Sequence, residues 1–230
     1  MRALLLPVKD LRNAKQRLAG VLTPNQRFTL ARAMLADTIA AIRGVGMADE
    51  IFVVTNYEAA VRAASENSWR VLREAQQISE SFSVDTASRQ LESLGFAAVL
   101  RIPLDLPLIR SSDIDELLAV QAGSPSVVIV PSRDGTGTNA ILRTPPTLFP
   151  SHFGIGSFAK HCAEAERAGA RIETRRNPRL EMDVDDEADL RELLRHDLTG
   201  TATGAFLDET GLAAKLRADP NPEARVVSRT

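Results

Sequence analysis

Three carboxylates and a run of cations stand where they could handle a phosphorylated substrate. Asp105 lies between Pro103 and Pro107 within an apolar run at residues 97–108. Such a run fits a buried parallel strand, and the prolines stiffen the backbone that carries the carboxylate. Asp183 and Asp185 flank Val184, and strand alternation would put both on one face. Paired negative charge is costly unless a cation compensates it, so with Asp105 the two suggest one divalent metal held from two strands. The cations Lys9, Arg12, Lys15 and Arg17 follow a first apolar run at residues 3–8. A basic loop after the first strand of an α/β sheet is a common seat for nucleotide phosphates.

Two glycine loops could close such a site. Residues 131–140 carry Gly135, Gly137 and Thr138 after an apolar run at 127–130, and glycine lets backbone amides approach a ligand. Gly154 and Gly156 precede a helical pattern at 158–168, with Ser157 as a candidate N-cap and His161 one turn later. A glycine-led helix start leaves first-turn N–H groups open for a phosphate or carboxylate. The hydroxyl-rich residues 78–86 lead into another helix, with Ser83 as a plausible cap.

The elements that must position these groups alternate. Thr23, Pro24 and Gln26 form a helix start with a capping box, apolar residues then recur at helical spacing, and Gly44 can end the helix in a left-handed conformation. Strands at 51–54 and 69–72, a helix at 58–65 between them, a helix beginning near 112 and strands at 171–174 and 180–186 complete an α/β pattern. The 230 residues fit one large domain at 1–196, followed by a flexible tail at 197–230. A formal charge of −2 gives no global field for nucleic acid or an anionic membrane, and one cysteine excludes an internal disulfide. No apolar run is long enough for a signal peptide or a membrane span, so a cytoplasmic protein is expected. The dinucleotide fingerprint and the P-loop are both absent.

These motifs together resemble the 2-phospho-L-lactate guanylyltransferases, the group that includes the phosphoenolpyruvate and 3-phosphoglycerate guanylyltransferases of coenzyme F-420 biosynthesis. The resemblance is carried by Pro7, Val8 and Lys9; by Ala14, Lys15, Arg17 and Leu18; by residues 103–108 and 134–140; by Phe153, Gly154, Gly156, Ser157 and Phe158; and by Asp183 and Asp185. It implies a single Rossmann-like nucleotidyltransferase domain with a mixed, mostly parallel sheet, Mg²⁺ dependence, and GTP and a small phosphorylated acid as substrates; the oligomeric state is not fixed by it, and a homodimer is a guess. By the same resemblance Lys15 contacts phosphate with Lys9 and Arg17 beside it. Asp105 and Asp185, or its neighbour Asp183, bind the metal, and Thr138, Gly154 and Ser157 hold the acid. Where relatives often carry Gly-Leu-Asn near the third helix, this chain has residues 79–85 of different type. Another nucleotidyltransferase with a different nucleotide or acceptor, and a non-catalytic nucleotide-binding protein, stay open as alternatives.

Overall fold

The computed structural model describes residues 1–74, 76 and 78–218. Seven strands form one sheet: β1 (Arg2–Pro7), β2 (Glu50–Val54), β3 (Arg70–Leu72), β4 (Ala98–Arg101), β5 (Ser126–Pro131), β6 (Thr138–Thr144) and β7 (Arg171–Thr174). Their order is β3-β2-β1-β4-β6-β5-β7. β1 pairs in parallel with β2 and β4, β3 in parallel with β2, and β7 in parallel with β5, while β6 runs antiparallel to both its neighbours. The sheet is therefore mixed and mostly parallel, as expected.

Strand alternation builds two cores. Leu4 and Leu6 of β1 face one side with Val53 and Leu100, covered by α1 (Pro24–Arg43), α2 (Glu58–Glu66) and α4 (Ser111–Ala119) through Ala31, Leu35, Ala60, Ile114 and Leu118. Ala3 and Leu5 face the other side with Phe52, Val54 and Val99, covered by α3 (Glu80–Ser93) through Val84, Ala87 and Leu91. α5 (Ser157–Arg167) covers the far half of that sheet through Ala165, against Val127, Ile129 and Ile141. After β3 the chain returns to lay β4 on the opposite side of β1. The reversal between β1 and β4 is a topological switch point, and a crevice opens beyond the carboxyl ends of such strands.

Local expectations mostly hold. Thr23 caps α1 with a complete capping box to Gln26, and Pro24 occupies the first helical position. Gly44 does end α1, but at φ −90° and not in the left-handed region. Its lack of a side chain serves another end: a Cβ there would come within 3.0 Å of Ser111 on α4. The cap of α3 is Ser79, not Ser83; Ser83 is buried inside the helix and donates to the Ser79 carbonyl at 2.9 Å.

Two sequence expectations are corrected, and one strand was not foreseen. Residues 183–185 form no strand; Asp183, Val184 and Asp185 are an irregular segment leading to α6 (Glu187–Leu193), tied down where the Val184 N–H donates to the Asp105 carbonyl at 3.3 Å. β6 has no clear signal because a buried arginine interrupts it. Arg143 donates to the Phe149 carbonyl at 2.6 Å, to Ser88 Oγ at 2.9 Å and to Asp85 at 3.2 Å, which satisfies the charge inside the protein. Finally, the expected flexible tail is folded through residue 218. Its helices α7 (Ala202–Glu209) and α8 (Leu212–Ala218) bury Phe206, Leu207, Leu212 and Leu216 against Leu30 and Met34 of α1 and Leu190 of α6. Thr201 caps α7, and Asp37 accepts the N–H groups of Ala202 and Thr203 at 2.6 and 2.9 Å. Residues 219–230 lie outside the described residues.

Candidate active site

The chain leaves β1 through Val8 and makes two 3₁₀ turns, Leu11–Asn13 and Gln16–Leu18. Leu11 and Leu18 are buried and pin both turns, and Lys15 between them adopts φ 54°, ψ 43°. This left-handed conformation costs a residue with a Cβ about 1 kcal/mol and is retained only where surrounding structure enforces it. Its effect is to send the side chain inward. Lys15 Nζ donates to Asp105 Oδ2 at 2.8 Å and to Asp185 Oδ1 at 2.9 Å, with only 7 % of the side chain exposed. Arg17 lies outside this cluster, reaching Asp185 at 3.5 Å and Asp186 at 2.5 Å. Lys9 lines the same cavity.

Burial works against charge here, and pairing overrides it. Burial alone would lower the Lys15 pKa, but Asp105 and Asp185 hold it above the ordinary lysine value. Burial likewise opposes ionisation of Asp105, and the Lys15 ammonium keeps its pKa below the usual carboxylate range. Among the described residues no cation pairs with Asp183. Its Oδ1 accepts from Asn139 Nδ2 at 3.0 Å, while burial and then the neighbouring Asp105 and Asp185 push its pKa up to about 6. The unrelieved repulsion on Asp183 and the hard oxygen donors of all three aspartates suit a divalent cation in chemistry. Among the described residues, however, no three acidic or imidazole groups are gathered as a finished ligand cage, and the Lys15 ammonium bridges two of the three.

The opposite wall of the cavity is largely uncharged. Thr138 begins β6, and its Oγ1 lies 3.0 Å from His161 Nδ1. His161 Nε2 accepts the N–H of His152 at 2.9 Å, so Nδ1 carries the ring proton and donates it to Thr138. The threonine hydroxyl thus keeps its own proton for another acceptor. Burial, and then Arg143, Arg101 and His152, hold the His161 pKa down to about 3, which keeps the ring neutral. The turn before β6 is fixed by Ser132 Oγ, which accepts the Gly137 N–H at 2.7 Å; a Cβ at Gly137 would lie 2.9 Å from that oxygen.

Gly156, at φ 69°, is the N-cap of α5, and Ser157 is its first helical residue instead of the cap. The expected seat of open first-turn amides is mostly closed. The Ser157 N–H donates to the Gly154 carbonyl, and the Phe158 N–H to the Thr136 carbonyl, both at 3.1 Å. What this corner offers the cavity is the Ser157 side chain beside Gly154 and Thr138.

One cavity of about 860 Å³ brings together Lys9, Lys15, Arg17, Asp105, Thr138, Gly154, Ser157, Asp183 and Asp185, the residues expected to bind nucleotide, metal and acid; Arg12, which the sequence grouped with these cations, does not line it. It also holds residues that sequence reasoning missed. Arg101 ends β4 and is buried; its Nη1 donates to the Thr138 and Asn139 carbonyls at 3.3 and 3.2 Å, its Nη2 pairs with Glu80 of α3, and its Cζ lies 4.2 Å over the Phe153 ring. A lone arginine ending an apolar strand was the available signal, since a buried strand rarely carries one without a task. The arrangement can hold a polyphosphate and a cation on one wall and a small oxyanion on the other.

Residues 1–229 match the family described as "Guanylyl transferase CofC like". The chain is 38% identical over 194 residues to the phosphoenolpyruvate guanylyltransferase of Rubrobacter xylanophilus, covering 82% of this chain and 91% of that protein. It is 33% identical over 203 residues to the 2-phospho-L-lactate guanylyltransferase of Methanosphaerula palustris, covering 88% of this chain and 87% of that protein. Among solved structures, a Desulfovibrio desulfuricans G20 protein described as a nucleotide-diphospho-sugar transferase shares the fold. Its TM-score is 0.74 at 16% identity, over 94% of this chain and 97% of that one.

Proposed function

The chain belongs to the CofC-like guanylyl transferase family, and we propose that its cavity transfers GMP from GTP to a small phosphorylated carboxylic acid in coenzyme F-420 biosynthesis. The observation that carries this reading is the Lys15, Asp105 and Asp185 cluster at the switch point of the sheet, facing the Thr138 and Ser157 wall across one cavity.

In this reaction a phosphate oxygen of the acid attacks the α-phosphorus of GTP in line. The bond to the bridging oxygen of the leaving pyrophosphate breaks, and that oxygen takes the electron pair. The attacking phosphate is already ionised at neutral pH, so no general base is needed, and the site supplies positioning and charge. Lys15 and Lys9 bind the nucleotide phosphates, with Arg17 at the rim. Thr138 donates its free hydroxyl proton to the acid, and Ser157 binds beside it. Asp105, Asp183 and Asp185 are the residues that would hold Mg²⁺, which supplies charge neutralisation on the phosphates when bound.

The test is a panel of GTP, ATP, CTP and UTP, each incubated with Mg²⁺ and with phosphoenolpyruvate, 2-phospho-L-lactate or 3-phosphoglycerate, with the phosphoanhydride product identified by mass. GTP with one acid is expected to give product. Product from a different nucleotide alone would overturn the guanylyl assignment.

A further inference from the structure

Arg101 is the strongest unassigned feature of the cavity. Its side chain is 6 % exposed, yet it lines the pocket beside Thr138, Phe153 and Ser157. A guanidinium carries five N–H groups in a rigid plane. Both protons of Nη1 serve the Thr138 and Asn139 carbonyls, which locks the plane in place, and Phe153 stacks on it. The Phe153 N–H is in turn held by Ser81 Oγ at 2.9 Å. The side-on edge of the fork, made of Nε–H and one Nη2–H, is left for recognition. Nε is buried and has no hydrogen-bond partner among the described residues, and Nη2 carries the Glu80 carboxylate. An unmet buried donor is unfavourable, so this edge is kept at a cost to stability.

We propose that this edge is the receptor for the carboxylate of the acceptor acid, and that Glu80 is the internal carboxylate that occupies part of it until the acid arrives. The phosphate of the acid must reach the α-phosphorus near Lys15 and Asp105, so the carboxylate is the group left to be read on the other wall. The Nε and Nη2 fork matches a planar carboxylate bidentately. Glu80 lies in the first turn of α3 with about a third of its side chain exposed, so it can withdraw without disturbing the core. Arg101 thereby selects acids over phosphomonoesters that lack a carboxylate.

The inference rests on the guanylyl-transfer reading for the identity of the ligand, and its test separates the two. KM values for acid and for GTP are measured on the wild type, Arg101→Gln and Glu80→Gln. The three acids, and ethyl phosphate as a carboxylate-free probe, are titrated onto each protein by calorimetry. Arg101→Gln is expected to raise the acid KM roughly 30-fold, as for loss of a charge-assisted pair, with the GTP KM within about threefold. Glu80→Gln is expected to lower the acid KM. The wild type should bind one acid at least about tenfold tighter than ethyl phosphate, a preference lost in Arg101→Gln.

Equal wild-type affinity for ethyl phosphate and every acid would overturn the inference, as would an equal rise of both KM values in Arg101→Gln. If Arg101→Gln does not fold, Glu80→Gln decides alone, and an unchanged or lowered acid affinity overturns the proposal. A wild type that binds an acid selectively but forms no product would sink the transfer reading and leave the carboxylate receptor standing.

Discussion

The two walls of the cavity are built on opposite electrostatic plans. On one, Lys15, Asp105, Asp183, Asp185 and Arg17 crowd charge into a small volume, and nearly every group depends on a neighbour of opposite sign. On the other, Thr138, Ser157 and a neutral His161 present dipoles already oriented by hydrogen bonds, beside the Arg101 and Glu80 pair and an Asp134 carboxylate tied to Ser132 and Thr136. Their foundations differ too. The charged wall stands over Leu18, Met182 and Val184, which pack with α6, α7 and α8; the neutral wall stands on Phe149, Phe158 and Ala165 of the α5 side. A charged wall must rearrange when a polyphosphate arrives, because Lys15 is already committed to two carboxylates. A dipolar wall is preorganised and changes little. The chemistry should therefore reside on the first wall and acid binding on the second.

The largest effect is expected at Lys15. Lys15→Met removes the ammonium with little change of shape and should lower kcat/KM about 1000-fold by initial rates of pyrophosphate release, as for loss of preorganised charge stabilisation. It should also lower stability by about 2 kcal/mol in urea, less than for a fully buried pair because Asp185 is 43 % exposed. Added Mg²⁺ should raise the Tm of this variant more than that of the wild type. A wild-type rate in Lys15→Met would end the assignment of chemistry to the charged wall.

Thr138→Val should act on the other wall alone, raising the acid KM about tenfold by deleting one hydrogen bond at near-constant volume while the GTP KM stays put. A parallel rise in the GTP KM would erase the division between walls.

A smaller effect, visible as pH dependence, belongs to His161. Its folded pKa of about 3 lies below the ~6.5 of an unfolded imidazole. As pH falls from about 6.5 toward 3, the unfolded chain takes up a proton that the folded chain refuses, so stability is lost over that window. His161→Gln lacks this contribution, and urea titrations from pH 7 to pH 4 should show the wild type losing stability faster than the variant. Equal slopes would mean that His161 is not held neutral.

The smallest effect on the site is expected from Phe206→Ala in α7. It should cost about 3 kcal/mol of stability by opening a core cavity, and leave both KM values unchanged.

Much of this was legible in the residue string, and the failures have a common cause. Thr23, Pro24 and Gln26 announced α1 because capping is local chemistry. Asp105, Lys15 and Thr138 were legible as members of a pattern, and the fold brings them to one cavity. The conformation of Lys15 was not legible, since lysine has no preference for left-handed backbone and tertiary contacts hold it, with Leu11 and Leu18 buried on either side and its ammonium anchored by Asp105 and Asp185. β6 was hidden because the side-chain partners of Arg143, Asp85 and Ser88, lie more than fifty residues away in sequence. The carboxylates at 183 and 185 were found for a partly mistaken reason: they share the cavity, but through a tethered irregular segment and not through strand alternation. The helices after residue 201 looked like a tail because their apolar face has meaning only against α1 and α6.

One measurement bears most directly on the account: pyrophosphate release by the wild type and Asp105→Ala side by side, with GTP, Mg²⁺ and each of the three acids. The account predicts release by the wild type only when an acid is present, and none above background from Asp105→Ala with an unchanged circular dichroism spectrum. Release without any acid, or a wild-type rate from Asp105→Ala, would contradict it.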